Sequence, residues 1–94
     1  MTRIGDIARV IRADCPLTAR SNIYAFGSYL RNGFGVDIDL LLVSDDRFES
    51  GEVRREIMER FPELPIEITI LTPAEELETD FIAEQQCVAL EMLG

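Results

Sequence analysis

The chain has 94 residues, 47% of them hydrophobic, and sets 18 acids against nine bases for a net charge of −9; such a length and composition suit one small globular domain. It contains no histidine, which excludes Ser-His-Asp and Cys-His catalysis and any histidine-ligated zinc. All nine bases are arginines with no dense cluster, Arg54, Arg55 and Arg60 coming nearest, so non-specific binding to DNA or RNA is disfavoured and a basic protein partner is better matched.

Arg3 to Asp14 places Ile4, Ile7, Ala8, Val10 and Ile11 on a helical period, and Pro16 ends that helix near Cys15. Ile23 to Phe26 reads as a short strand closing at Gly27, Ser28 to Asn32 as one or two helical turns, and Gly33-Phe34-Gly35 as a flexible loop. Asp37 to Val43 is the clearest strand, apolar from Leu40 onward and expected at the centre of the sheet. Ser44-Asp45-Asp46 ends it. Glu52 to Phe61 reads as the second major helix, with Val53, Ile57, Met58 and Phe61 as its apolar face. Pro62 and Pro65 bracket a turn before Ile66 to Leu71, a strand with β-branched residues at four of six positions. Thr72, Pro73 and Glu75 spell a capping box at a helix start, with Leu77, Phe81 and Ile82 as the anchors of that helix. Cys87 to Leu90 reads as a short edge strand. The order predicts one α/β (α+β) domain over residues 1–94, a small mixed sheet of three to four strands with helices packed on it.

No run approaches the roughly 20 apolar residues that span a bilayer. The first 15 residues intersperse arginines and aspartates and do not form a secretory signal. A cytoplasmic protein without a membrane partner is therefore expected. Cys15 and Cys87 lack CxxC spacing and read as ordinary reduced thiols. A domain this small buries only about two-thirds of the surface its unfolded chain exposes, which leaves association as a homo- or hetero-oligomer open.

The chemistry concentrates between Phe26 and Val43. Side chains alternate across a strand, so Asp37 and Asp39 share one face while Ile38 takes the other. Neighbouring carboxylates repel, and one pKa rises unless a cation neutralises the pair. Oxygen-only donors suit Mg²⁺ or Mn²⁺. Glu67, flanked by isoleucines on Ile66–Leu71, completes a three-carboxylate site for two metals if the two strands are neighbours. Taken singly, each feature has a plainer reading: a solvated turn for the aspartates, an exposed strand face for Glu67. Gly27-Ser28, placed where a strand gives way to a helical segment, offers backbone N–H groups and a hydroxyl to a phosphate, or is a plain turn with a serine cap.

Gly27-Ser28, then Asp37-Ile38-Asp39 with its apolar tail Leu40-Leu41-Leu42-Val43, then Glu67 in a later strand, together resemble the signature of the nucleotidyltransferase superfamily of DNA polymerase β type. Within it the chain is most similar to the minimal nucleotidyltransferases (MNT), and Phe81-Ile82 and Val88-Ala89-Leu90 look like that family's last helix and final strand. The interval from Gly-Ser to Asp37 is a little shorter than usual, Val36 stands where a serine is common, and Glu67 where aspartate is common. The resemblance implies a polymerase β-like fold and transfer of an NMP, with ATP the expected nucleotide, from NTP to a hydroxyl. It implies Asp37, Asp39 and Glu67 as catalytic metal ligands for Mg²⁺, two ions in all, and Gly27 and Ser28 as the triphosphate cradle. Arg31, in the segment after Ser28, is a further phosphate contact or a solvated helix arginine. The resemblance also implies an antitoxin paired with a HEPN-type toxin, which it neutralises by binding and, in some systems, by adenylylation. A non-catalytic binding antitoxin or assembly subunit, and a small-molecule nucleotidyltransferase, are the alternatives.

Overall fold

Ile38, Leu40 and Leu42 alternate with Asp39, Leu41 and Val43, so a strand through these residues is apolar on one face and mixed on the other. The computed structural model, which describes residues 3–93, builds its sheet around that strand, β2 (Ile38–Val43). Among the described residues the sheet has four strands in the order β3-β2-β1-β4. β1 (Asn22–Phe26) runs antiparallel to β2 and to β4 (Val88–Ala89), whereas β3 (Ile66–Leu71) runs parallel to β2. The parallel pair is joined across one face by α3 (Arg47–Arg60), the crossover that parallel neighbours require.

The faces have different company. Ile38, Leu40 and Leu42 join Ile23, Ala25 and Ile66 in one buried cluster with Ile7, Ala8 and Ile11 of α1 (Ile4–Asp14) and Val53 and Ile57 of α3. Each fully buried leucine or isoleucine there contributes about 1.5–3 kcal/mol. Two polar links tie α3 to what precedes β1: Arg60 Nε donates to Asp14 Oδ2 at the end of α1 at 2.9 Å, and Leu17 N, in the turn after α1, to Glu56 Oε1 at 3.0 Å. The other face carries Asp39, Leu41 and Val43, and α5 (Phe81–Glu84) lies on it with Phe81 set edge-to-face against Phe26. β2 is central and the order of elements is the expected one.

Five features depart from the sequence reading. Pro16–Arg20 forms a 3-10 turn where no element was expected. β2 begins at Ile38, leaving Asp37 one residue outside the strand. α3 begins at Arg47, five residues before Glu52, because the Asp46 side chain accepts from Glu49 N at 3.0 Å and Ser50 Oγ donates to Asp46 O at 2.8 Å. Met58 lies outside its buried face at 38% exposure. The last expected helix is two: α4 (Pro73–Thr79) and α5, separated by Asp80 in the left-handed conformation at φ 53°, which aspartate tolerates better than most residues. Glu76 Oε2 accepts from Ile82 N across the break at 3.1 Å. Leu77 consequently anchors nothing and is 82% exposed. The capping box stands as read, Thr72 Oγ1 accepting from Glu75 N at 3.0 Å and Glu75 Oε1 from Thr72 N at 2.9 Å. The edge strand near Cys87 is reduced to Val88–Ala89.

Both cysteines are free thiols. Burial, then Glu56 and Asp14, push the Cys15 thiol above its ordinary pKa against the opposing pull of Arg60, so it stays protonated and unreactive. No helix among the described residues is long and apolar enough to cross a membrane.

Candidate active site

The antiparallel ladder sets Phe26, the last residue of β1, opposite Asp39. The chain must then turn sharply into α2 (Gly27–Asn32), and it does so at Gly27 with φ +85°, a backbone that only glycine adopts readily. A Cβ at Gly27 would land on Asp39 Oδ2 and lie 3.2 Å from its Cγ. The turn backbone is therefore pressed directly against the Asp39 carboxyl. Gly33 closes α2 in the left-handed conformation, its N–H donating to Tyr29 O at 2.9 Å. The returning loop then crosses Ser28, for a Cβ at Gly35 would sit 2.6 Å from Ser28 Oγ and 3.3 Å from Tyr29 N. Two glycines thus allow Gly27-Ser28, the loop and the start of β2 to share one small volume.

The parallel register places Asp39 opposite Glu67, with Ile38 opposite Ile66 and Leu40 opposite Ile68. Ile38 N donates to Pro65 O at 2.9 Å, so the ladder is already made beside Asp37. Asp39 and Asp37 are half-buried, and Glu67 is exposed on β3, an edge strand. Burial, and then the charge of Asp37, raise the Asp39 carboxyl above its ordinary pKa of 3.8. This is the mutual repulsion expected of two neighbouring acids, and no arginine pairs with either among the described residues. The structure brings Gly27, Ser28, Asp37 and Asp39 together and sets Glu67 in register with Asp39. It does not close the three acids into one cluster: among the described residues no group of three or more Asp, Glu, His or Cys could hold a metal ion as it stands. Glu67 has a longer side chain at an open edge, where solvent competes for it. The donor set is all oxygen and the Asp37–Asp39 repulsion is uncompensated, a combination that fits a hard divalent cation. Arg31 is exposed in the last turn of α2 and forms no ion pair among the described residues.

One neighbour of the site was not identified as such from the sequence. The Phe26 and Phe81 rings are 5.1 Å apart at 90°, and Phe26 shares the Asp39 register position, so an aromatic pair borders the carboxyl side of the sheet. Phe81 was read only as a helix anchor. Its destination becomes legible once Phe26 and Asp39 are known to be opposite one another.

A family model described as a nucleotidyltransferase domain matches residues 7–88. The chain belongs to that family. The matched span runs from α1 to β4 and encloses Gly27, Ser28, Arg31, Asp37, Asp39 and Glu67. No curated protein and no solved structure matches the chain. The protein is thus a nucleotidyltransferase domain with an α+β fold around a mixed four-stranded sheet, and its general chemistry is transfer of a nucleotidyl group from an NTP.

Proposed function

We propose that this nucleotidyltransferase moves AMP from ATP to a hydroxyl on a partner protein, a HEPN-type toxin, and so acts as its antitoxin in the cytoplasm. The observation that carries the catalytic part of the reading is the packing of the Gly27 turn on the Asp39 carboxyl, which joins a phosphate-type turn to a strand acid at one point. The partner part is supported by the net charge of −9, which favours a basic, RNA-cutting protein, and by the likeness to minimal nucleotidyltransferases.

In this reading Asp37, Asp39 and Glu67 would hold Mg²⁺. When bound, the cation supplies charge neutralisation for the triphosphate and lowers the pKa of the acceptor hydroxyl. The Gly27 N–H and Ser28 hydroxyl bind the triphosphate, with Arg31 as a further contact. The acceptor hydroxyl releases its proton to water as its oxygen attacks the α-phosphorus, the bond from that phosphorus to the bridging oxygen breaks, and pyrophosphate leaves with that oxygen. The β1–β2–β3 register keeps Asp39 and Glu67 on a rigid sheet with Asp37 just before it, so the reacting groups need little reorganisation.

The test is label transfer from α-³²P-ATP with Mg²⁺, offering the protein encoded beside this one as acceptor, with wild type and Asp39→Asn side by side. Label on the partner with wild type alone is the expected result. A stable complex of the two proteins that takes no label would overturn the enzymatic reading and leave a binding antitoxin.

A further inference from the structure

The charge of this chain is segregated along its length. All nine arginines lie within the first 60 residues, and from Phe61 onward there are eight acids and no base. The two ends of this imbalance meet on one flank of the fold. On α3, Arg47, Gly51, Arg54, Arg55 and Met58 form a stripe that, with Ile70 of β3, lines an open groove of about 340 Å³. Its apolar side chains are left uncovered, Met58 and Ile70 each being 38% exposed. Nothing lies within 4 Å of where a Cβ on Gly51 would sit, so the helix surface is bare at the middle of the groove. A mid-helix glycine costs about 1 kcal/mol relative to alanine, and no contact among the described residues accounts for it. Arg54 forms no ion pair among the described residues, whereas Arg55 pairs with Glu52 and Glu59 of its own helix.

α4 has the opposite character. It is well formed, with a complete capping box, yet none of its residues is buried. Ala74, Leu77 and Glu78 fall at i, i+3 and i+4 and so share one face, and all three are exposed. Glu78 follows Leu77 and Asp80 caps the helix end, while Glu75 and Glu76 are engaged with Thr72 N and Ile82 N. An exposed leucine beside acids is complementary to an apolar floor flanked by arginines. α4 starts directly after β3, whose Ile70 lines the groove, and Arg47 of the groove favours the Glu75 carboxylate, well behind the hydrogen bonds from Thr72.

We propose that two copies of the protein form a two-fold dimer in which α4 of each copy docks on the arginine-lined groove of the other, Leu77 seating between Met58 and Ile70 with Glu78 toward Arg54. A two-fold interface needs both complementary patches on one flank of each copy, and this flank supplies them. Asp37, Asp39 and Glu67 lie at the N-terminal ends of β2 and β3, while α4 follows the C-terminal end of β3, so pairing leaves the candidate site open. The inference does not depend on the proposed reaction or its acceptor.

The test is sedimentation velocity over a broad concentration range on wild type, Arg54→Glu, Glu78→Arg and Leu77→Ser, each checked for native circular dichroism. All three positions are exposed and none caps or closes an element, so folding should be retained. Wild type is expected to dimerise, and each variant to self-associate at least about tenfold more weakly, since like charges or a lost apolar anchor face the partner. The decisive sample is an equimolar mixture of Arg54→Glu and Glu78→Arg. Every reversed charge then meets its complement across a mixed dimer, and association should return toward the wild-type level although each variant alone associates weakly. A wild type that stays monomeric throughout would overturn the proposal and leave the groove to an acidic segment of another protein. So would a mixture no more associated than its components, or a Leu77→Ser variant that dimerises as wild type does.

Discussion

Gly27→Ala separates two costs that usually arrive together. An alanine at φ +85° pays the left-handed penalty of about 1–2 kcal/mol, and its Cβ also meets the Asp39 carboxyl. Gly33→Ala is the matching control, because Gly33 has φ +81° with nothing within 4 Å of a would-be Cβ. Gly33→Ala should lose about 1–2 kcal/mol, a large fraction of the roughly 5–10 kcal/mol expected for a domain of this size, and Gly27→Ala at least as much. Each lost kcal/mol should lower the melting temperature by about 4–8 °C. Only Gly27→Ala must push Asp39 aside, and a displacement on the order of 1 Å at a reacting group costs about 10²-fold in rate. Urea unfolding with nucleotidyl transfer assayed well below both melting temperatures would separate the effects. Equal transfer by the two variants, whether both retained or both lost, would refute the claim that the turn matters through its packing on Asp39.

Asp39 has a raised pKa in the fold, so its ionised form opposes folding at neutral pH and the penalty vanishes once the pH falls well below 3.8. Asp39→Asn should therefore melt higher than wild type at pH 7, lose that advantage in acid, abolish transfer, and no longer gain stability from added Mg²⁺; thermal melts with and without the cation check all but the transfer. Glu75 has the opposite sign, its pKa lowered below 4.5 chiefly by the backbone N–H of Thr72. Its contribution is present above that value and lost as pH falls through the folded pKa, so Glu75→Gln should destabilise at neutral pH and match wild type in acid. A double-mutant cycle with Phe26→Leu and Phe81→Leu should return a coupling of about 0.5–1.5 kcal/mol. A coupling near zero would mean that the ring contact does not hold α5 on the sheet.

What could be read in advance was whatever depends on local pattern. The alternation of Ile38, Leu40 and Leu42 with Asp39 marked the central strand and the face of its acids, and Thr72-Pro73-Glu75 marked a helix start to the residue. What escaped depended on partners distant in the chain. Leu77 and Phe81 stand four apart and look like one helical stripe. The pairing of Phe81 with Phe26 instead bends the chain at Asp80, and Leu77 is left outside. The start of α3 was hidden because residues 47–51 carry no apolar period, although Asp46 three residues before Glu49 is the signal of a capped helix start. The three acids were read as a set on the condition that their strands are neighbours, and the parallel register sets Asp39 opposite Glu67. Their mutual approach depends on a glutamate rotamer at an open edge, which no spacing encodes.

That open edge has a cost of its own. β3 is a six-residue strand of sequence IEITIL whose outer side has no partner strand among the described residues, the kind of segment on which further chains can stack into aggregates. Glu67 is the one charge within it and is exposed, so it also acts as a gatekeeper. Replacing it with alanine would leave an uncharged, strongly β-prone ribbon at the rim of the sheet, and the variant should precipitate on storage and concentration where Glu67→Lys remains clear.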